Sequence, residues 1–428
     1  MTVEDGQSLP LSESSAQVSK HDPYAALRYR DFRLLTIGRV IASLGEQMLG
    51  VAVGWELYER TGSTFALGLV GLVQVLPVIA LSLWAGHAAD RYNRKLVVLI
   101  SQLLLAVSSL GLAYLSLTQG SLLLVYICLL LIGLGRAFNT PAALALLPQT
   151  VPQEVYSNAA TWSSSAWQFS AVFGPALGGW MIYAFNGAAE VYLVDAIAAL
   201  IFVAMLAFIT GKRVDKSSEA FTFKAMMGGF QFIRQNKVIL AAVTLDMFAV
   251  LFGGVVALLP VFAKDILHVG SEGLGWMRAA PSIGAMTMVL IITHLPPFKR
   301  AGRALLWAVI GFGIATIVFG VSRLFLLSMV ALIVLGAMDN ISVVIRMTLL
   351  VTRTPEEMRG RVSAVNNVFI GMSNELGAFE SGVAAAVFGP IWAVILGGIG
   401  TILVVLGVAR KWPEVQQMGA LNEQPDVA

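Results

Sequence analysis

The chain has 428 residues, 57% of them hydrophobic and only 12% charged, with a mean hydropathy of +0.79 and a formal net charge of +3. A water-soluble domain carries about 25% charged residues, so this chain cannot clothe a surface facing water, and its exterior must face lipid. The single cysteine, Cys128, excludes a disulfide framework. The four histidines (His21, His87, His268 and His294) are too scattered for a metal set, and the cations follow the loops instead of forming a nucleic-acid patch.

In chain order, residues 1–33 form a polar tail. No short apolar stretch with a cleavage site follows, which predicts a disordered cytoplasmic tail and not a signal peptide. A spanning helix needs about 20 apolar residues. By that measure six spans fall at 35–58, 64–88, 96–117, 121–146, 157–185 and 189–210. Six more fall at 239–263, 272–294, 304–322, 324–348, 363–387 and 390–409. The predicted fold is an all-α membrane protein of twelve transmembrane helices, with one six-helix bundle over 34–210 and a second over 239–410. Between them, 211–238 is a cytoplasmic linker. In it Phe223, Met226, Met227, Phe230 and Ile233 recur at helical spacing, predicting an interfacial amphipathic helix. A second cytoplasmic tail covers 411–428.

Orientation follows from the cations. With the N-terminus inside, the cytoplasmic segments carry 21 of the 28 Lys and Arg residues. The external loops hold only Arg60, Lys264 and Arg323, and the remaining four (Arg39, Arg136, Arg278 and Arg346) lie within spans. That bias places both termini in the cytoplasm and the chain in the inner membrane. The halves also repeat. At an offset of 203, Pro152-Gln153-Glu154 overlies Pro355-Glu356-Glu357, and Gly174 and Gly179 overlie Gly377 and Gly382. Pro77 similarly falls near Pro281. Paired six-helix halves place a substrate site between them, near the midplane.

Two motifs carry more. The loop between the second and third spans reads Gly86-His-Ala-Ala-Asp90-Arg91-Tyr-Asn-Arg94-Lys95, and the fifth span contains Gly174-Pro175-Ala-Leu-Gly178-Gly179. Over residues 30–410 the chain resembles the major facilitator superfamily. Arg136-Ala-Phe-Asn139-Thr-Pro141, Leu258-Leu-Pro260, Arg278-Ala-Ala-Pro281 and Arg359-Gly360-Arg361-Val-Ser-Ala make it similar to the enterobactin-exporter and transmembrane secretion effector branch. For the loop, the resemblance implies a conformational latch. Gly86 admits a neighbouring helix, Asp90 meets the positive end of a helix from the other half, and Arg91, Arg94 and Lys95 stay at the interface, with Arg359 and Arg361 as the partner region. The equivalent loop of the second half, with Lys299, Arg300 and Arg303, has no acid, so the latch is one-sided. For the Gly-Pro-Gly-Gly element, the resemblance implies an antiporter, that is, an exporter. Pro and Gly also permit kinks and tight helix packing.

Ionisable side chains are costly in a bilayer and usually face the bundle interior. Those away from span ends are Arg39, Glu46, Arg136, Asp195, Asp246, Arg278, Asp339, Arg346, Glu375 and Glu380. Arg39 and Glu46 are seven apart and share a helical face, as do Asp339 and Arg346. The resemblance implies that the first, fourth, seventh and tenth spans line a cavity, and Arg39, Glu46, Arg136, Asp246, Asp339 and Arg346 all lie on them. Glu46 is the first candidate for a proton-carrying carboxylate, because a carboxyl removed from water can switch protonation state at working pH. Asp246 and Asp339 follow. Arg136 and Arg346 are candidates to neutralise these acids or hold an anionic substrate group. Arg278 and Asp195 lie near external ends, which suggests fixed or water-reaching roles. Glu375 and Glu380, also candidates for the cavity, are five apart and cannot share one face, so at most one points at it; their span is peripheral by resemblance, which makes gating or packing the other role.

No nucleophile elbow, phosphate-binding loop or metal-ligand cluster is present in the sequence. The expectation is a non-enzymatic, monomeric secondary exporter of small organic molecules such as siderophores or drugs. It would need no cofactor and would be driven by a proton gradient through alternating access. Uptake, lipid flipping and ligand sensing are the alternative readings on the same fold.

Overall fold

The computed structural model describes residues 22–210, 223–296 and 298–419. Residues 1–21 of the expected N-terminal tail, 211–222 of the central connection and 420–428 of the second tail lie outside them. The helices are α1 (Arg30–Thr61), α2 (Thr64–Arg91), α3 (Arg94–Leu117), α4 (Leu122–Leu146), α5 (Tyr156–Phe185), α6 (Ala189–Ala207), α7 (Phe223–Gln235), α8 (Lys237–Phe252), α9 (Val255–Val261), α10 (Gly270–His294), α11 (Ala301–Val321), α12 (Phe325–Arg353), α13 (Glu356–Phe388) and α14 (Pro390–Lys411). No strand occurs among the described residues.

Twelve rods span the molecule, because α8, α9 and a π-helical turn at Phe262–Ile266 continue one another. Ten of the rods are long and apolar enough to cross a membrane on composition alone. The other two, α5 and α13, have 30 and 33 residues. At 1.5 Å per residue they clear a hydrocarbon core of about 30 Å. They are more polar because each packs along the other half, α5 on α10 and α13 on α2.

The seventh span is not the single helix the sequence predicts. It breaks at Gly253-Gly254, where a side chain on Gly254 would collide with the Gly377 carbonyl and with Ser381 of α13. The linker segment forms α7, whose apolar face also packs on the second half: Ile233 is buried, Phe230 stacks on Phe369 at 6.3 Å, and Gly229 abuts the Arg361 backbone of α13.

The repeat is visible in the packing. Gly133 of α4 approaches the Gln74 backbone of α2, and Gly336 of α12, 203 residues later, approaches the Pro281 backbone of α10. Gly174 and Gly178 pack on α1, while Gly179 meets Gly275 of α10 at 2.7 Å from its would-be Cβ to Cα. In the second half Gly377 packs on α8 and Gly382 packs against Gly68 of α2. The two halves therefore clasp each other at two symmetry-related glycine contacts.

All these cross-half contacts lie toward one face, called distal here because it is opposite the chain termini. One apolar cluster there draws on both halves, with Met48, Val51, Leu57, Leu112 and Ile182 packed with Val255, Leu259, Phe262, Leu274 and Phe319. Toward the terminal face the clusters separate. One contains only first-half residues such as Phe32, Leu146 and Phe202. Two others, around Leu245 and Leu305 and around Ile239 and Val362, contain only second-half residues. The halves are thus joined distally and parted at the terminal face.

Candidate functional site

Between the halves lies a cavity of about 740 Å³. Gly50, Val53 and Gly54 of α1 and Ala257 and Pro260 of α9 close its distal end. Its charged lining comes from both halves: Glu46 and Arg136 from the first, Arg278, Asp339 and Glu375 from the second. Between these stand the amides of Gln47, Gln74, Gln168, Asn340 and Asn374, with Trp167 as the aromatic surface. A drug-sized ligand fits a space of this order.

On the first-half wall, Arg136 Nη1 donates to Gln74 Oε1 at 2.6 Å. Behind Glu46, a void of about 10 Å³ lies among Gln102, Ser109, Arg136 and Asp195, about the size for one water. Ser109 Oγ donates to Asp195 Oδ2 at 2.6 Å, and the charges of Glu46 and Arg136 act on that carboxylate. On the second-half wall, Arg278 Nη1 reaches across to the Gly50 carbonyl of α1 at 3.1 Å. Glu375 lies in the electrostatic field of both Arg136 and Arg278, beyond ion-pair distance of either. Asp246 and Arg346 form a buried ion pair, and Asp339 stands beside it at the cavity edge.

The structure sorts the candidate charges by where it places each of them. Of the two glutamates of α13, Glu375 is the one on the cavity wall, where α13 is clasped to α2 through the Gly68–Gly382 contact. Arg278, on α10 three residues before Pro281, lays its guanidinium against Gly50 of α1. Asp195 is deeply buried and hydrogen-bonded, with Gly45 of α1 packed against it. Arg39 turns toward α5, where Nη1 lies 3.4 Å from Ser163 Oγ, and is absent from the cavity lining. Arg346 neutralises Asp246, one of the two roles expected of it, and neither residue lines the cavity. Glu380 accepts from Ser381 at 3.4 Å and does not line the cavity.

The hydrogen bonds of Arg94 and Lys95 of the loop motif stay within their own half. Arg94 donates to the Ala89 carbonyl at 3.3 Å and the Ala145 carbonyl at 3.1 Å, and Lys95 donates to the carbonyls of Ala207 and Ile209. These cations satisfy the free carbonyls at the ends of α2, α4 and α6. Arg359 donates to the Thr354 carbonyl, and no side chain would meet a neighbour at Gly360. The Asp90 side chain lies outside the described ones, and Gly86 and Arg91 sit in the last turns of α2. In the fifth span, Pro175 is accommodated inside α5, and its carbonyl borders Gly275.

Sequence reasoning passed over the distal clasp. Tyr58 Oη donates to Asp265 across the halves, and Lys264 lies 6.0 Å from the Trp55 ring centroid. The available signal was the placement of these four residues at facing span ends.

Two six-helix halves around a charged midplane cavity define a multi-pass membrane transporter fold of the major facilitator type. The chain belongs to the transmembrane secretion effector family, which it matches over residues 21–427. It is 27% identical to the enterobactin exporter EntS of Citrobacter koseri over 398 residues, covering 93% of this chain and 95% of that one. Identity to the Escherichia coli enterobactin exporter EntS is also 27%, covering 88% and 90% of the two chains. Among solved structures, the peptide-family transporter PepTSo superposes with a TM-score of 0.73 at 12% identity, covering 91% of this chain and 99% of the other. A bacterial homologue of the human lysosomal transporter Spinster gives 0.72 at 12% identity, covering 92% and 99%.

Proposed function

We propose that this chain is an inner-membrane secondary exporter of a small organic molecule, coupled to proton exchange and working by alternating access. The cavity between the halves carries the reading: it is sealed distally, parted at the terminal face and lined by the carboxylates of Glu46, Asp339 and Glu375. With the termini cytoplasmic, as the cation bias supports, the state described is the one that loads substrate from the cytoplasm. The similarity to enterobactin exporters supports export and a substrate of siderophore or drug size.

In the cycle, substrate enters between the halves and a cavity carboxylate exchanges a proton. The glycine clasps then part as the halves rock, and Asp90 and the Arg359–Arg361 segment close the cytoplasmic face. Glu46 is the leading proton carrier, since it borders both the cavity and the water-sized void shared with Asp195. Efflux in everted vesicles tests the coupling: substrate accumulation should collapse when the proton gradient is dissipated. Gradient-independent transport that survives Glu46→Gln, Asp339→Asn and Glu375→Gln together would remove proton antiport.

A further inference from the structure

The five charges lining the cavity are not equivalent. A buried carboxylate can relieve its desolvation by taking a proton, whereas a guanidinium keeps its charge. Glu46, Asp339 and Glu375 are therefore removable charges, and Arg136 and Arg278 are permanent ones. The other arginine at this depth of the second half, Arg346, is already neutralised by Asp246.

Arg136 and Arg278 are not neutralised in that way. Neither belongs to any of the four ion pairs among the described residues. Each makes one hydrogen bond to a neutral oxygen, Gln74 Oε1 for Arg136 and the Gly50 carbonyl for Arg278. A guanidinium has five N–H donors, so both retain donors without a partner beside the cavity. Arg136 comes from α4 of the first half and Arg278 from α10 of the second, and both line the same space. The carboxylates around them include Glu375, which acts with both, Asp195, which acts with Arg136, and Glu46, which lines the same spaces as Arg136.

We infer that Arg136 and Arg278 form a split anion-binding pair, one guanidinium from each half, that takes an acidic group of the substrate while Glu375 is its internal competitor. The substrate class is a small organic acid. Its anionic oxygens complete the donors that the protein leaves open, and protonation of Glu375 clears the place between the two cations. Because Arg278 also holds the Gly50 carbonyl across the distal closure, an acid that recruits this guanidinium loosens the same closure that must open for release. The inference rests on the exporter reading for direction of transport, but not for binding.

The test uses the full chain in lipid nanodiscs and three matched probes: a naphthalene carboxylate, its neutral methyl ester and the corresponding aminomethyl cation. The carboxylate should raise the melting temperature in a saturable way, and the ester and the cation should not. Arg136→Gln and Arg278→Gln should each weaken carboxylate binding roughly tenfold or more, since each removes a charge-assisted contact. Arg136→Lys should retain part of it. Glu375→Gln should strengthen carboxylate binding by removing the competitor. Equal binding of ester and acid, no acid binding at all, or unchanged affinity in both arginine variants would overturn the pair. Should those variants fail to fold, weaker acid binding in Glu375→Gln would overturn it instead. Everted vesicles separate the two readings: acid that binds through the pair but is not accumulated defeats export and leaves the anion site standing.

Discussion

Asp246 and Arg346 show how a buried charge is tolerated among apolar helices. Each is nearly inaccessible, and each is the other's neutralising partner. Removing one partner leaves the other charge stranded, which typically costs about 3–5 kcal/mol. Asp246→Asn should therefore lower the melting temperature of the detergent-solubilised protein far more than Asp339→Asn does, because Asp339 borders the cavity and retains access to water. Equal losses would show that the pair is not the structural element of this bundle. Gly50 makes a different point at the same scale. Its would-be Cβ lies 2.8 Å from Arg278 Nη2, the far end of a flexible side chain. Gly50→Ala should thus leave stability nearly unchanged while displacing the guanidinium and reducing transport several-fold, measured as initial efflux rate.

Among the elements, α5 and α13 carry the contact between the halves, since both run along the opposite half. Their small residues let backbones touch, and packing of this kind drives helix association where lipid removes the hydrophobic force between helices. Gly179 faces the backbone of Ser271 and Gly275, so no side-chain rotation can relieve an added group. Gly179→Val should wedge α5 from α10 at the distal face. A cysteine placed at Val53, in a background with Cys128→Ala, should then react faster with an impermeant thiol reagent from the distal side. The labelling rate of the same cysteine without the wedge is the control, and an unchanged rate would remove the clasp role.

At the scale of the whole molecule, the distal face is held by the mixed apolar cluster and by the Tyr58–Asp265 hydrogen bond, while the terminal face is open. Tyr58→Phe keeps the ring packing and deletes only the bond. It should shift the population toward distal opening, read as faster distal labelling at Val53 with little change in melting temperature. The cation bias makes a separate prediction about direction. A fluorescent protein fused after Ala428 should fold and fluoresce, and an alkaline phosphatase fusion at the same place should be inactive. The reverse pattern would invert the topology and with it the side from which the cavity loads.

The composition alone determined that the chain lives in lipid, because 12% charge cannot dress a soluble surface. Hydropathy and the 203-residue repeat determined two six-helix halves, since each span must satisfy its backbone internally and so announces itself as a run of apolar residues. Such runs locate a helix along the chain but not its rotation or partner. Tertiary packing alone decided that Glu375 and Arg278 face the central cavity while Arg39 and Glu380 turn away, because α13 and α10 are oriented by glycine contacts with the other half. It also decided that Asp246 is spent on Arg346, leaving Arg136 and Arg278 as the cations with open donors, a distinction between equal residue types that depends on which neighbour each one meets.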